Sequence, residues 1–317
     1  MNGRRTLLLA ELCCFAACLQ PLYGQTARTP SISFATPDEE RAVLTAHDDF
    51  VQSLSPFDRS ARLKTDKDVS ESEYLAFVGH NVIAWTPNDE SRVEEAYARI
   101  KPELERMNLP FPATVRFIKT TGQEEGDAAY TRANAIVLPP SFLSKASAEL
   151  AEVIAHELFH VLSRNSPDLR DRAYAAIGFY PCGPIVLSPY LASRKLTNPD
   201  APANDHCISI SAMGKTAWAV PLLLSSGPYD VSRGGEFFDY IKLEFLIVAD
   251  KSGAYDSASP LLVNTRQLSG FYEQVGRNTD YIIHPEEILA DNFALLATGK
   301  TAVASPDVLR KIASALH

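Results

Sequence analysis

The stretch 149–164, ELAEVIAHELFHVLSR, is predicted to form an amphipathic helix, because its apolar side chains recur three and four residues apart. These side chains are Leu150, Val153, Ile154, Leu158, Val161 and Leu162. Histidine is an unusual choice for so apolar a stretch, and this one holds two, His156 and His160. The pattern favours a specific use for the two histidines; a helix with two ordinary structural histidines is the alternative.

His156 and His160 are four residues apart, so both lie on one face of the predicted helix. Two imidazoles at that spacing can reach one zinc ion through bonds of about 2.0–2.1 Å. Glu157 lies about 100° further round the helix, where it can hold a water without being a ligand. This H-E-x-x-H array resembles the active-site helix of the zincin metallopeptidases. The resemblance implies one catalytic Zn²⁺ ion, with Glu157 as the general base.

A second predicted helix offers a third ligand, which catalytic zinc usually requires. In HPEEILADNFALLATG, residues 284–299, Pro285 at the start and Gly299 beyond the end delimit a helix. Glu287 and Asp291 are four residues apart on one face of it. This pattern resembles the E-x-x-x-D helix of the gluzincins. The resemblance implies that Glu287 ligates zinc and that Asp291 orients one of the two histidines.

Two alternatives to this assignment remain. Glu286 could reach the metal, but four residues further on it meets Ala290 rather than an acid, so Glu287 is preferred. The acids could also lie on a solvated face, where Glu287 would only interact weakly with the helix dipole. Glu287 follows His160 by 127 positions, which far exceeds the spacing in thermolysin-like members.

Gluzincins also place a Tyr or His where it donates a hydrogen bond to the oxyanion. In thermolysin-like enzymes this His follows the Glu helix, but the only later histidine here is His317 at the chain end. The candidates are therefore Tyr281, Tyr272, Tyr240 and His206. Tyr281 is preferred because it is nearest to the Glu helix in sequence.

Charge and composition exclude one class of partner. The formal net charge is −9 at pH 7 and no run of Lys or Arg is present, which argues against binding to a phosphate backbone. We therefore expect a peptide or protein substrate and no nucleic acid.

Residues 1–24 are typical of a secretory signal peptide, with Arg4 and Arg5 before a short apolar run. The run is too short to span a bilayer, and no later segment reaches about 18 uninterrupted apolar residues. The protein is therefore expected to be exported, either secreted or periplasmic, without a membrane span. The alternative is a lipoprotein in which Cys18 carries a lipid anchor.

The cysteines agree with export. Cys13, Cys14 and Cys18 lie in the expected leader, which leaves Cys182 and Cys207 as an even pair. In an oxidising compartment this pair is predicted to form a disulfide that closes a loop of about 26 residues. Two thiolate metal ligands are the weaker alternative, because no C-x-x-C pair is present.

The N-terminal region, residues 25–72, is predicted to hold one helix and a loop. Residues 25–36 are expected to be an exposed lead-in, and Thr36 and Pro37 begin a helix over 37–54. The polar stretch 55–72 is predicted to be a mobile loop. The region either packs on the back of the main domain or acts as a pro-segment.

The main domain, residues 73–317, begins with β-type sequence at 77–85, including His80, and a helix over 88–107 capped by Asn88 and kinked near Pro102. Strands are predicted at 113–121 and 129–139, and the H-E-x-x-H helix opens near 144–148. In zincins the strand before that helix is the edge strand that pairs with the substrate. The resemblance implies that Asn134 and Ala135 bind peptide backbone; a plain hairpin is the alternative.

Beyond Arg164 we expect a helix at 168–176, an insert over about 177–275 with strands at 216–225 and 237–248, and a closing helix at 306–316 capped by Ser305. The predicted fold class is α+β. The resemblance implies a zincin-like domain with an upper mixed sheet, an active-site helix and a largely helical lower lobe that carries the insert.

The function these patterns favour is an exported zinc metallopeptidase that uses a Glu general base. One alternative is a non-catalytic zinc-binding envelope protein, which the presence of Glu157 disfavours. The other is a zinc amidohydrolase that acts on a non-peptide amide.

Overall fold

The computed structural model describes residues 29–317. The predicted leader, with Cys13, Cys14 and Cys18, lies outside the described residues. The helices are α1 (Pro37–Leu44), α2 (Asp49–Gln52), α3 (Pro56–Arg62), α4 (Glu71–His80), α5 (Pro87–Met107), α6 (Pro140–Leu143), α7 (Ser147–Asn165), α8 (Pro167–Ala176), α9 (Pro189–Ala192), α10 (Tyr272–Val275), α11 (Pro285–Ala297) and α12 (Pro306–Ala315). The strands are β1 (Ser31–Phe34), β2 (Thr114–Lys119), β3 (Tyr130–Arg132), β4 (Ala135–Leu138), β5 (Phe179–Pro181), β6 (His206–Ala212), β7 (Lys215–Ser225), β8 (Ile241–Val248), β9 (Leu262–Val263) and β10 (Leu268–Ser269). The fold class is α+β, as predicted.

The predicted histidine helix is α7, and it lies at the centre of the largest core. Its side chains Leu150, Ile154, Leu158, Val161 and Leu162 are fully buried, as the apolar spacing predicts. The helix packs against α5 on one side and α11 on the other. Burial of these apolar side chains sets the rotation of α7 about its axis, and this rotation determines where His156 and His160 point.

A four-stranded mixed sheet lies beside α7 in the order β1-β2-β4-β3. β1 and β4 pair parallel to β2, and β3 pairs antiparallel to β4. The predicted strand over 129–139 is thus two strands, because the chain turns at Ala133, where φ is 50°. β3 is the edge strand and β4 is internal.

The N-terminal region differs from its prediction. Residues 31–34, expected to be an exposed lead-in, form the outer strand β1. Thr36 and Pro37 begin a helix as predicted, but this helix ends at Leu44 and α2 follows after a break. The stretch 55–72 was predicted to be a mobile loop, which is wrong: it contains α3, whose Asp58 and Arg62 are buried.

The charged side chains Asp58 and Arg62 of α3 are buried because they are paired inside the protein. The Arg62 guanidinium lies 2.6 Å from Asp58 and 2.8 Å from Glu125, and it donates to the backbone oxygen of Thr197 at 3.1 Å. Thr197 in turn donates its amide hydrogen to Asp58. The region therefore packs into the body of the protein and contacts the insert.

The segment 77–85 was predicted to have β structure, and this is also wrong for its first residues. Residues 71–80 form helix α4, which begins with a capping box between Ser70 and Glu73. Its buried side chains Tyr74 and Val78 are one turn apart. The next helix, α5, begins at Pro87 with Thr86 as its cap rather than at Asn88, and it runs through Pro102.

The insert forms a second, antiparallel sheet. The central order is β10-β6-β7-β8-β9, and β5 also pairs with β6. The predicted strands 216–225 and 237–248 correspond to β7 and to β8, which begins at Ile241 after a short turn of 3₁₀ helix. Cys182 and Cys207 form the predicted disulfide, with their Cα atoms 5.8 Å apart. Within residues 29–317, no helix is both long and apolar enough to cross a membrane.

Replacing Arg62 by Met should destabilise the protein by about 3–5 kcal/mol, because two buried carboxylates lose their counter-charge. Urea unfolding followed by circular dichroism measures this loss. The control is Arg106→Met, which removes an exposed ion pair with Glu103 and should change stability little. Equal effects of the two substitutions would contradict the structural role of Arg62.

Glu40→Gln should stabilise the protein only at higher pH. The side chain of Glu40 is fully buried, its Oε1 accepts a hydrogen bond from the Lys119 amide at 3.0 Å, and burial raises its pKa from 4.5 to about 7. The folded state thus binds this proton more tightly than the unfolded chain, so its stability falls between about pH 4.5 and 7. The free energy of unfolding of the variant should equal that of the parent at pH 4 and should be larger by on the order of 1–3 kcal/mol at pH 8. A difference in unfolding free energy that does not vary with pH would contradict this.

Candidate metal centre

The packing of α7 against α11 brings two histidines and an acid together. Nε2 of His156 lies 3.1 Å from Oε2 of Glu287, and Nε2 of His160 lies 3.6 Å from the same oxygen. One donor atom from each of the three residues lies within 4.8 Å of the others. This group could hold a metal ion.

Carboxylates on α11 bind the other nitrogen of each imidazole. Nδ1 of His156 is 2.8 Å from Asp291, and Nδ1 of His160 is 3.0 Å from Glu286. An imidazole that donates from Nδ1 keeps the lone pair of Nε2 free, pointing in this case toward Glu287. Both rings are therefore held in the orientation that metal ligation requires.

Two of the three donor separations are compatible with a zinc ion. Ligand atoms at about 2.0–2.1 Å from a tetrahedral ion lie about 3.3 Å from each other, which is close to the 3.1 and 3.6 Å from the two histidines to Glu287. In addition, Nε2 of His160 is buried and has no hydrogen-bond partner among residues 29–317. A buried polar atom without a partner is costly, and a metal ion would satisfy it.

The electrostatics of the group favour a cation. Burial opposes ionisation of Glu287, but the neighbouring His160 and His156 and a 2.5 Å hydrogen bond from Asn198 lower its pKa to about 2. Burial lowers the pKa of His160, and the charges of Asp200 and Glu287 more than reverse this, raising it to about 9. Protons and a metal ion would therefore compete for the same imidazole nitrogens.

Glu157 lies beside this group and opens onto a cleft. Its side chain is almost fully buried, and its Oε2 has no hydrogen-bond partner in the described part of the chain. Burial and the charge of Asp200 raise the pKa of Glu157 to about 8. The cleft has a volume of about 460 Å³, and His156, Glu157 and Tyr281 all line it. A molecule in the cleft would thus meet the metal group and this carboxylate together.

Of the four candidate oxyanion donors, Tyr281 lies in the cleft, with its ring centroid 6.3 Å from that of His156. The other three lie elsewhere. The hydroxyl of Tyr240 is 2.8 Å from the backbone oxygen of Gly234, Tyr272 stacks with Arg277, and His206 is buried against Tyr174.

Glu286, the alternative ligand, occupies a different place. Besides His160, its carboxylate accepts hydrogen bonds from the hydroxyls of Ser163 and of Tyr174, the latter at 2.7 Å. It lies behind His160, on the side away from Glu287. This role of Glu286 could not be predicted from the sequence, because Ser163 and Tyr174 belong to no spacing pattern.

The expectation that Asn134 and Ala135 form an exposed substrate-binding edge is wrong. Ala135 lies in β4, which pairs on both sides, with Arg116 of β2 and Arg132 of β3. The backbone oxygen of Asn134 accepts a hydrogen bond from the Arg116 amide. The chain turns at Ala133, so β3 forms the edge of the sheet and β4 lies inside it. Ala128 and Ala129, just before β3, line the cleft instead.

Two further residues of the site lie in the insert and could not be predicted from the sequence. Asn198 donates to Glu287, and Asp200 lies within 4.8 Å of both Glu157 and His160. Oδ1 of Asp200 accepts hydrogen bonds from the amide and hydroxyl of Thr131 in β3. Only tertiary structure places this segment at the site.

Comparison of the chain with models of protein families, with curated proteins and with solved structures finds no match.

Replacing Glu287 by Ala should abolish stoichiometric zinc binding, because one of three ligands is lost. Glu286→Gln and Asp291→Asn should retain zinc but with about 10–100-fold lower affinity, because they only orient the histidines. Zinc content after dialysis and competition with a chromogenic chelator measure both effects. Glu152→Ala, on the exposed part of α7 where Glu152 pairs with Lys300, is the control. Unchanged zinc binding by Glu287→Ala would contradict the assignment.

Proposed function

We propose that the protein is an exported zinc-dependent metallopeptidase of the gluzincin type. The observation that carries the proposal is the buried side chain of Glu157, whose Oε2 has no hydrogen-bond partner in residues 29–317 and which shares a cleft with the metal-binding group. Burying a polar atom without a partner is costly, which favours a specific use of this carboxylate at the site. The Cys182–Cys207 disulfide supports export, since disulfides persist in oxidising compartments.

His156, His160 and Glu287 would hold the zinc ion. When bound, it would polarise the scissile carbonyl and make the attacking water more acidic. Asp291 and Glu286 keep Nε2 of each histidine directed at the site. Asn198 holds the second oxygen of Glu287.

Glu157 would act as the general base. Its carboxylate accepts a proton from the water that attacks the carbonyl carbon, and then delivers that proton to the leaving nitrogen. Tyr281 would donate its hydroxyl hydrogen to the developing oxyanion. Desolvation of this hydroxyl and the charge of Glu287 raise its pKa, so the donor stays protonated.

The peptide backbone would run along the cleft beside Ala128 and Ala129. These residues precede the edge strand β3, and both line the cleft. Small side chains at these positions leave room for an extended peptide to approach the backbone.

Glu157→Gln should keep zinc and lose about 10²–10⁴-fold in peptide hydrolysis, because the amide cannot accept the proton. His160→Ala should lose both zinc and hydrolysis. The assay is digestion of a mixed peptide library by zinc-loaded protein, with and without chelator, read by mass spectrometry.

Hydrolysis by Glu157→Gln at the parental rate would show that the assigned base is wrong. Zinc binding by the parent without hydrolysis of any peptide would contradict the peptidase proposal. Cleavage of N-acyl amides in place of peptides would then indicate an amidohydrolase, and no hydrolysis at all a zinc-binding protein.

A further inference from the structure

A second, smaller cavity opens beside the metal group. It shares Ala128, Ala129 and Tyr281 with the cleft. Asn198 and Asp200 also line it. Asn198 contacts Glu287, and Asp200 lies beside Glu157. A group that enters this cavity from the cleft is thus adjacent to the reacting atoms. We call it the insert pocket.

The walls of the insert pocket are apolar and come mainly from the insert. Leu196, Leu223 and Phe237 are buried side chains of one hydrophobic cluster, against which the partly buried Ile283 packs. Phe238 is 42 % exposed and also lines the pocket. Desolvation in such a pocket favours an apolar occupant.

Three charged residues line the pocket, and each is bound to another group of the protein. Oδ1 of Asp200 accepts hydrogen bonds from the amide and the hydroxyl of Thr131. Arg62 reaches the pocket, but its guanidinium is bound by Asp58 and by Glu125. Its remaining donor is bound to the backbone oxygen of Thr197. Arg62 is therefore not free to pair with an acidic side chain, and Glu125 is not free to pair with a basic one.

The size of the pocket limits its occupant. The volume is about 40 Å³, and on this measure a water-sized group requires about 10–15 Å³. The volume corresponds to about three or four such groups. It favours the side chains of Val, Leu and Ile over the larger rings of Phe and Trp.

We propose that the insert pocket receives an aliphatic side chain of the substrate residue next to the scissile bond, so that the insert determines cleavage specificity. This inference rests on the proposed peptidase function and names its substrate class. The chain segment that bears Asn198 and Asp200 then has two roles, one toward Glu287 and one as a wall of the pocket.

Binding tests the pocket independently of catalysis. The probes are malonyl hydroxamates of leucine amide, phenylalanine amide and aspartate amide, in which the hydroxamate binds zinc and the amino acid reaches the neighbouring pocket. Calorimetric titration of the full zinc-loaded protein should show the leucine ligand binding about tenfold or more tightly than the other two. Equal affinities, or no binding of any ligand, would overturn the proposal.

Leu223→Ala should enlarge the pocket and bring the phenylalanine ligand to within about threefold of the leucine ligand. Leu222→Ala is the matched control: it makes the same truncation one residue earlier in β7, on the opposite face and in a different cluster. Ile283→Val, a milder change of the pocket wall, should shift the same ratio in the same direction by a smaller factor. A ratio that changes equally in Leu222→Ala and Leu223→Ala, or in none of the variants, would overturn the proposal.

The peptide library separates this proposal from the function on which it rests. Cleavage without a preference for Val, Leu or Ile on either side of the cut contradicts the pocket and leaves the peptidase in place. Selective binding of the leucine hydroxamate without any cleavage supports the pocket and contradicts the peptidase.

Discussion

The contact between α7 and α11 is the constraint on which the site depends. His156 and His160 are one turn apart on α7, and Glu287 comes 127 residues after His160. The two helices meet through buried apolar side chains, among them Phe159 and Phe293, whose ring centroids are 5.7 Å apart. Because side chains in a protein interior are close-packed, this contact fixes how far the two histidines lie from Glu287.

The same contact between α7 and α11 buries several carboxylates close together, which costs desolvation free energy. Glu157, Glu286 and Glu287 are each at most 3 % exposed, and Asp200 adds a further carboxylate. Histidine protons offset part of this charge when no metal is bound, as the raised pKa of His156 and of His160 indicates. A divalent cation would offset it more fully, so metal binding and folding are expected to be coupled.

The N-terminal region and the insert both contribute to the structure of the site. Asp58 and Arg62 of α3 bind the backbone of Thr197. Asn198 and Asp200 follow directly in the chain, and Asn198 donates a hydrogen bond to Glu287. This chain of contacts explains why the region 29–72 packs into the fold. It also connects stability of the N-terminal helices to the geometry of the site.

The sequence by itself determined the features that repeat along one helix. The spacing of apolar side chains placed α7, the i,i+4 pairs placed His156 with His160 and Glu287 with Asp291, and the even cysteine pair gave the disulfide. Tertiary structure alone decided that Glu286 binds the back of His160, that β3 and not β4 is the edge strand, and that Asp200 lies at the site. Helical periodicity is local and can be counted, whereas a buried charge such as Arg62 looks solvent-exposed in sequence until its partners, 63 and 135 residues away, are known.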